Sequence, residues 1–516
     1  MSLAEKKPCV VGIDIGTSSC KTLAVDEEGR VLSRATREYP VYNPFPGWSE
    51  QDPSDWWEAA KATLLEVSRD VEGKGYTVEG IGLTGQMHGL VLLDEAGNVL
   101  RPCIMWNDQR SAPYCAKIHE MVGGEREFIK ITNNPMLPGY TGGKILWVQE
   151  NEPEVFKKAE KFLCPKDYIR LRLTGKYATD VSDASGTGLF SVRERTWAKD
   201  LIRELGVAFG LFPEVFESPE ITGSVLPAVA QEVGVRPGVP VVGGGGDAVV
   251  QTVGVGAVRP GTISITLGTA GIVGMSLDRF YENPGNTLQF FCNAIPGSWI
   301  VYGTTLAAGG SLSWFRNTFG GLERELARLI GESSYDLLSR EAELSAPLAR
   351  GILFLPYLIG ERCPHADPFA RGVLIGFGLH HTRNDIVRSV FEGIVFSLRD
   401  VFALMEDLGL SVSQVRISGG GAKSRLFQRL HADIFNSEVI TVAYGEEGGS
   451  YGAALLAGVG IGLWSSMEEA VGKLEVTERT LPDPEQARLY GEFFRVYQHL
   501  YGVLRETFRT ISSFQT

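Results

Sequence analysis

The chain has no block of lysine and arginine dense enough to neutralise a phosphate backbone: 62 acidic residues outnumber 49 basic ones, for a formal charge of −13. Nucleic acid is thereby excluded as an expected partner. Long apolar runs are equally scarce. The opening MSLAEKKPCVVGIDIG is broken at Gly12 and Asp14 before it can serve as a signal peptide. GILFLPYLIG, the longest later run, is far short of the ~20 residues of a spanning helix and contains Pro356. The expectation is a protein neither exported nor inserted in a membrane. Cysteine is sparse as well. Cys9, Cys20, Cys103, Cys115, Cys164, Cys292 and Cys363 are odd in number, scattered and free of C-x-x-C spacing, which argues against a zinc or redox site. They read as reduced thiols of a cytoplasmic protein.

What is present is the composition of a globular enzyme, 44% hydrophobic and 22% charged. At 516 residues the chain exceeds the size at which one core stops growing, so two or more domains are expected. A repeat supports this. VVGIDIGTSSCKTLAVDEEGRVL (10–32) and GTISITLGTAGIVGMS (261–276) share one plan, an apolar strand, a Gly-Thr-small turn and a second strand. Gly16-Thr17-Ser18 corresponds to Gly268-Thr269-Ala270. Two residues before each turn stands Asp14 in the first copy and Thr266 in the second, so only one copy keeps a carboxylate. Helical periodicity follows each hairpin, in WWEAAKATLLEV and in DIVRSVFEGIVFSLRDVFALMEDL. The pattern predicts a duplicated α/β unit with both hairpins facing one cleft, joined near GVGAVRPG at 254–261.

Two further glycine clusters stand out. RISGGGAKSRLFQRLHADIFN places a strand before Gly419 and a helix after it, with Leu426, Leu430 and Ile434 on one face, an arrangement suited to anions and nucleotides. GGGGDAVVQTVGVG (243–256) runs four glycines into Asp247. The aspartate suits a helix N-cap. It suits equally a carboxylate that a bare backbone brings close to a ligand.

Together with WSEQDPSDWW, GQMHG, RPCIMWNDQR, PKDYIRLRLTG, LPYLIGERCPH and GGSYGAALLAG, taken in this order, these segments resemble the FGGY family of carbohydrate kinases over nearly the whole chain. The resemblance implies an α/β fold of two ribonuclease-H-like domains, of the actin, Hsp70 and sugar-kinase type, around a central cleft. The expected N-terminal domain, 8–256, holds the sugar site, the first phosphate hairpin and the catalytic aspartate. The C-terminal domain, 257–516, holds the second hairpin, the adenosine site and a helical tail. Among family members the pattern is most like those acting on D-xylulose, phosphorylated at its terminal hydroxyl by Mg²⁺-ATP.

The resemblance makes Asp247 the catalytic base and Asp14 the metal-associated residue. It assigns ATP contacts to Gly16, Thr17, Ser18, Gly268, Thr269, Gly420 and Gly421. Met87 and His88 of GQMHG, with Asp247, fall on the sugar, and Trp106 and Asp108 support the same wall. Lys21 reads equally as a surface charge of the hairpin and is set aside. Phosphoryl transfer asks mainly for in-line positioning and charge neutralisation, which backbone N–H groups and Mg²⁺ held by one carboxylate can supply without a basic surface. Ala248 after the base, Ala270 in the second turn and Phe377 depart from the common family pattern and bear on sugar preference. A kinase for ribulose or another ketose or polyol is the nearest alternative. A nucleotide-switched module without a sugar is the alternative outside enzymes. Relatives are commonly homodimers.

Overall fold

The computed structural model describes residues 6–285 and 287–514. Two seven-stranded sheets share the order of their central strands. In the first, β1 (Lys7–Ile15), β2 (Ser19–Asp26) and β3 (Val31–Glu38) form an antiparallel meander, and β4 (Tyr76–Gly85) lies parallel to β1 on its other side. β5 (Ile221–Ser224) pairs with β6 (Pro240–Val242), and both β6 and the two-residue β7 (Gly245–Gly246) run parallel to β4. In the second, β8 (Thr262–Leu267) and β9 (Gly271–Leu277) make the hairpin, while β10 (Gln289–Cys292) and β11 (Trp299–Thr305) continue it antiparallel beyond β9. β12 (Gln414–Ser418) and β13 (Glu438–Val442) extend it in parallel beyond β8, and β14 (Val476–Thr480) closes the edge. Each sheet thus carries antiparallel strands on one side of its first strand, three strands in all in the first sheet and four in the second, and parallel strands on the other side. The duplication expected from the two hairpins is present in the folded chain.

Helices fill the sheet faces where the 3.6-residue period predicted them. α1 (Pro53–Gly73) starts at Asp52, whose carboxylate accepts the Ser54 N–H, and buries Trp56, Leu64 and Val67 against the first sheet. α2 (Pro165–Thr174) and α3 (Val181–Ser185) lie between β4 and β5 in the chain, and α4 (Asp247–Gly254) follows β7 directly. α5 (Gly309–Thr318) follows β11, and α6 (Arg383–Glu406) opens with a capping box between Thr382 and Asp385. α7 (Arg425–Phe435) follows the third glycine cluster with Ser424 as its cap, and buries Leu426, Leu430 and Ile434 as the pattern required. The tail helix α9 (Pro484–Ser512) comes after α8 (Gly448–Gly460) and lays Tyr490, Phe494, Tyr497, Tyr501 and Phe508 into the second core. No helix among the described residues is long and apolar enough to cross a membrane. All seven cysteines are buried and free.

α8 comes from the second half of the chain but lies on the first sheet, across β1 and β4, with α4 on its other side. The approach is backbone to backbone. A β-carbon on Gly12 would stand 1.8 Å from the Ser450 carbonyl oxygen, and one on Gly82 would stand 1.8 Å from that of Ala453. Such a clash cannot be relieved by rotating a side chain. Gly82→Ala is therefore expected to lower stability by about 1–3 kcal/mol or more, seen in the midpoint of chemical denaturation. Gly73→Ala, which meets open space, serves as the control and should leave the midpoint nearly unchanged.

Candidate active site

The glycine run leaves β6 and delivers Asp247 to the start of α4. Gly244 is where glycine is indispensable: its φ is 63°, and a β-carbon there would lie 1.8 Å from the Leu83 carbonyl oxygen. Gly246 occupies the helix cap, so Asp247 is the first helical residue and not the cap itself. Its Oδ1 nevertheless accepts the Ala248 N–H at 2.8 Å, a first-turn contact. Burial, and then the charge of Asp14, push Asp247 up to about 7 against the opposing N–H donors of Ala248, Met87 and its own residue.

Asp14 sits near the end of β1, opposite Lys21 on β2 and Thr84 on β4. Burial pushes it up to about 6, with Lys21 opposing, and its Oδ1 is buried without a hydrogen-bond partner. Gly449, at the start of α8, packs so near that a β-carbon would lie 2.6 Å from Asp14 Oδ2. A cavity of about 490 Å³ is lined by Asp14, Lys21, Asp247, Gln251, Thr266 and Gly420, among others. Thr266 holds in β8 the place that Asp14 holds in β1, and its Oγ1 lies 3.2 Å from Ser418 Oγ on the neighbouring parallel strand.

A second cavity, of about 790 Å³, shares Asp247, Ala248, Ile272 and Tyr302 with the first. Met87, His88, Trp106, Tyr140 and Arg362 also line it. His88 has φ 70° and is held neutral, because burial and the nearby Lys144 push it down to about 3. Its Nδ1 lies 2.7 Å from the Gly186 carbonyl oxygen, which only accepts, so Nδ1 carries the proton and Nε2 is left as the acceptor. Trp106 is 41% exposed, and its Nε1–H donates to Thr17 Oγ1 at 3.1 Å, tying the wall of the larger cavity to the first hairpin.

Several residues stand elsewhere than the sequence suggested. Asp108 lines neither cavity: it is fully buried, accepting from the Ser49 N–H at 2.6 Å and from Arg110 Nε and Nη2 at 2.9 and 2.8 Å. An aspartate so occupied braces the 105–110 turn and has no lone pair turned to a sugar. Gly16, Ser18, Gly268, Thr269 and Gly421 also line neither cavity, whereas Thr17 lines the larger one and Gly420 the smaller. The carbonyls of Gly268 and Thr269 accept from the Gly309 and Gly310 N–H groups at 2.9 and 3.0 Å, so the second turn rests on the start of α5. Phe377 is 54% exposed and outside both cavities, while Ala248 and Ala270 face the larger one. Sequence reasoning passed over Lys21, Gln251, Tyr302 and Arg362. Lys21 could have been found as the cross-strand partner of Asp14, and Gln251 as the residue one helical turn after Asp247. Tyr302 and Arg362 reach the cavity through tertiary folding alone.

The family models describing the N-terminal and C-terminal domains of the FGGY family of carbohydrate kinases match residues 9–254 and 263–461. Xylulose kinase of Bacillus subtilis (strain 168) is 37% identical over 507 residues, spanning 98% of this chain and 99% of its own. Among solved structures, a xyloylose kinase from Brucella ovis aligns with a TM-score of 0.88 at 32% identity, over 97% of this chain and 100% of its own. A gluconate kinase from Lactobacillus acidophilus aligns with a TM-score of 0.89 at 25% identity, over 98% and 100%. The chain belongs to the FGGY family of carbohydrate kinases.

A neutral histidine with one committed donor and one acceptor left over can accept a hydrogen bond from a hydroxyl. His88→Ala is expected to weaken kcat/KM for the sugar by about 1–3 kcal/mol and to leave KM for ATP nearly unchanged. Steady-state kinetics with each substrate varied in turn checks this. A parallel collapse of sugar-independent ATP hydrolysis would show His88 holding the fold instead.

Proposed function

We propose that the protein transfers the γ-phosphoryl group of ATP to the terminal hydroxyl of D-xylulose, giving D-xylulose 5-phosphate. The observation that carries this is the position of Asp247, on the shared wall of two cavities, one bearing Asp14 and the nucleotide-type glycine turn, the other bearing His88 and Trp106. A group at that junction can touch both the hydroxyl and the phosphoryl it attacks. Asp247 acts as general base. Held near 7, it is a stronger base than an ordinary aspartate at ~3.9, and proton loss late in a loose transition state asks little more of it.

His88 Nε2 accepts from a sugar hydroxyl, Met87 shapes the wall, and Trp106 closes its outer side. Asp108 acts only as the brace behind Trp106. Lys21 faces the phosphates from β2. Gly16, Thr17, Ser18, Gly268 and Thr269 offer turn backbone to the phosphates, and Gly420 and Gly421 lie toward the adenosine.

Mg²⁺ fits beside Asp14. The partnerless buried Oδ1 and the mutual repulsion with Asp247 are both relieved by a cation, and a single carboxylate with phosphate oxygens and waters suits this metal. When bound, the ion neutralises charge on the phosphates during transfer. Residues 8–256 and 257–516 are taken as the two domains, supported by the two repeated sheets. Free buried thiols support a cytoplasmic setting. A homodimer is the assembly to test first.

A gluconate substrate is the second reading. The Arg362 side chain faces the sugar cavity, and no hydrogen bond or ion pair engages its guanidinium among the described residues, which suits a sugar carboxylate. ADP release measured with D-xylulose, D-ribulose, D-gluconate and glycerol decides: D-xylulose is expected to give the highest kcat/KM. ADP release unaffected by any sugar would point to the nucleotide-switched module.

Asp247→Asn should bind both substrates and turn over roughly 10²–10⁴-fold more slowly; near-normal turnover of the folded variant would remove Asp247 from the mechanism. In a Mg²⁺ titration, Asp14→Ala should raise the metal requirement and depress kcat, and Thr266→Ala should do neither. Equal effects from the two would contradict a single metal site.

A further inference from the structure

Behind the glycine run lies a buried ionic cluster that the proposed mechanism leaves unused. Lys166, Asp167 and Arg170 of α2, with Asp180 and Asp183 around α3, are all fully buried. Lys166 Nζ stands 2.6 Å from Asp167 Oδ1, 2.8 Å from Asp180 Oδ1 and 2.9 Å from Asp183 Oδ2, so an ammonium already occupies the space a cation would take. Burial and the neighbouring carboxylates hold Asp183 well above the usual carboxylate range.

Five ionisable groups sealed from water are costly to desolvate and contribute little net stability. Their contacts indicate a different use. Arg170 donates through Nη1 to the Val242 carbonyl at 2.6 Å and through Nη2 to the Gly243 carbonyl. Asp180 accepts from the Ser182 N–H at 2.7 Å and from the Ser182 hydroxyl. That hydroxyl, its proton committed to Asp180, accepts the Gly246 N–H at 3.0 Å. The cluster therefore grips both ends of a four-glycine segment that has no side chains of its own to fix it. The residue after Gly246 is Asp247.

We propose that this cluster is a positioning device for Asp247, acting through Arg170 on the entry to the glycine run and through the Asp180–Ser182 pair on the Gly246 amide. The inference rests on the base role proposed for Asp247. Ser182, Asp180, Lys166 and Arg170 are positioning residues, since none lines either cavity.

Ser182→Ala in the full-length protein is the test, with Ser182→Thr as the variant that retains the hydroxyl and Asp247→Asn measured alongside. Loss of the anchor is expected to lower kcat roughly ten-fold, about 1.4 kcal/mol of barrier, with both KM values and the thermal midpoint close to wild type. Ser182→Thr should recover most of the turnover. Asp180→Asn should cost more turnover than Asp183→Asn, because only Asp180 orients Ser182. Wild-type kcat in folded Ser182→Ala would overturn the proposal, as would kcat loss matched by equal losses in both KM values and in the midpoint. Should Ser182→Ala not fold, Ser182→Cys, nearly isosteric but a weak acceptor, reads the same split. If Asp247→Asn itself turns over normally, the base assignment fails, and the Ser182 result still reports on whether the anchor matters.

Discussion

The contact on which the site depends is the seating of α8 on β1 and β4 at backbone distance. Glycine on both sheet strands removes the side chains that ordinarily hold a helix about 10 Å above a sheet. The helix can then sink until its N-terminal turn meets the end of β1, bringing Gly449 against the Asp14 carboxylate. Because α8 belongs to the second half of the chain and also packs on α4, one contact fixes three things at once: the two sheets, Asp14 and the helix that starts at Asp247. A single methyl at Gly12 or Gly82 would meet the backbone of α8 at 1.8 Å and force the helix away from the sheet.

That closeness creates an electrostatic problem that the chemistry can use. Asp14 and Asp247 are both raised by burial, and the Asp14 charge raises Asp247 further. Ionising both without a cation is unfavourable, so stability is lost as pH rises from the ordinary carboxylate range through their folded values near 6 and 7. Under the proposed function a cation held at Asp14 would supply the missing positive charge, and Lys21 stands opposite Asp14 across the hairpin. Under the same proposal a chain of net charge −13 would meet anions without a basic surface, through a few cationic groups and backbone donors in a partly buried space.

Much of this was legible in the sequence, because the signals were local. The two Gly-Thr turns, the alternation of strand and helix, and the strand before Gly419 each depend on a few adjacent residues, and the folded sheets repeat as those turns required. Asp108 misled for the same reason. Its place in a motif beside Trp106 says where the backbone goes, but the direction of its side chain is decided by Arg110 and Ser49, the latter distant in the chain. Arg362 and Tyr302 were invisible because nothing in their neighbourhoods marks a cavity. The crossing of α8 onto the opposite sheet was equally hidden, since GGSYGAALLAG reads only as an apolar helix. The glycines of β1 and β4 were the available sign of a close approach, masked by the glycines that turns need anyway.

The divergence between the duplicated halves follows from the same electrostatics. Backbone geometry is preserved in both, with Asp14 beside Thr84 and Thr266 beside Ser418 on equivalent parallel pairs. Only the side chain differs at the first member. A carboxylate at Thr266 would line the cavity that already holds Asp14 and Asp247, adding a third negative charge in low dielectric. It would raise both existing acids further. Threonine keeps the strand propensity and replaces the charge by a hydroxyl satisfied on Ser418. Duplication therefore leaves two matching turns, of which only the first carries a carboxylate two residues before it, at Asp14.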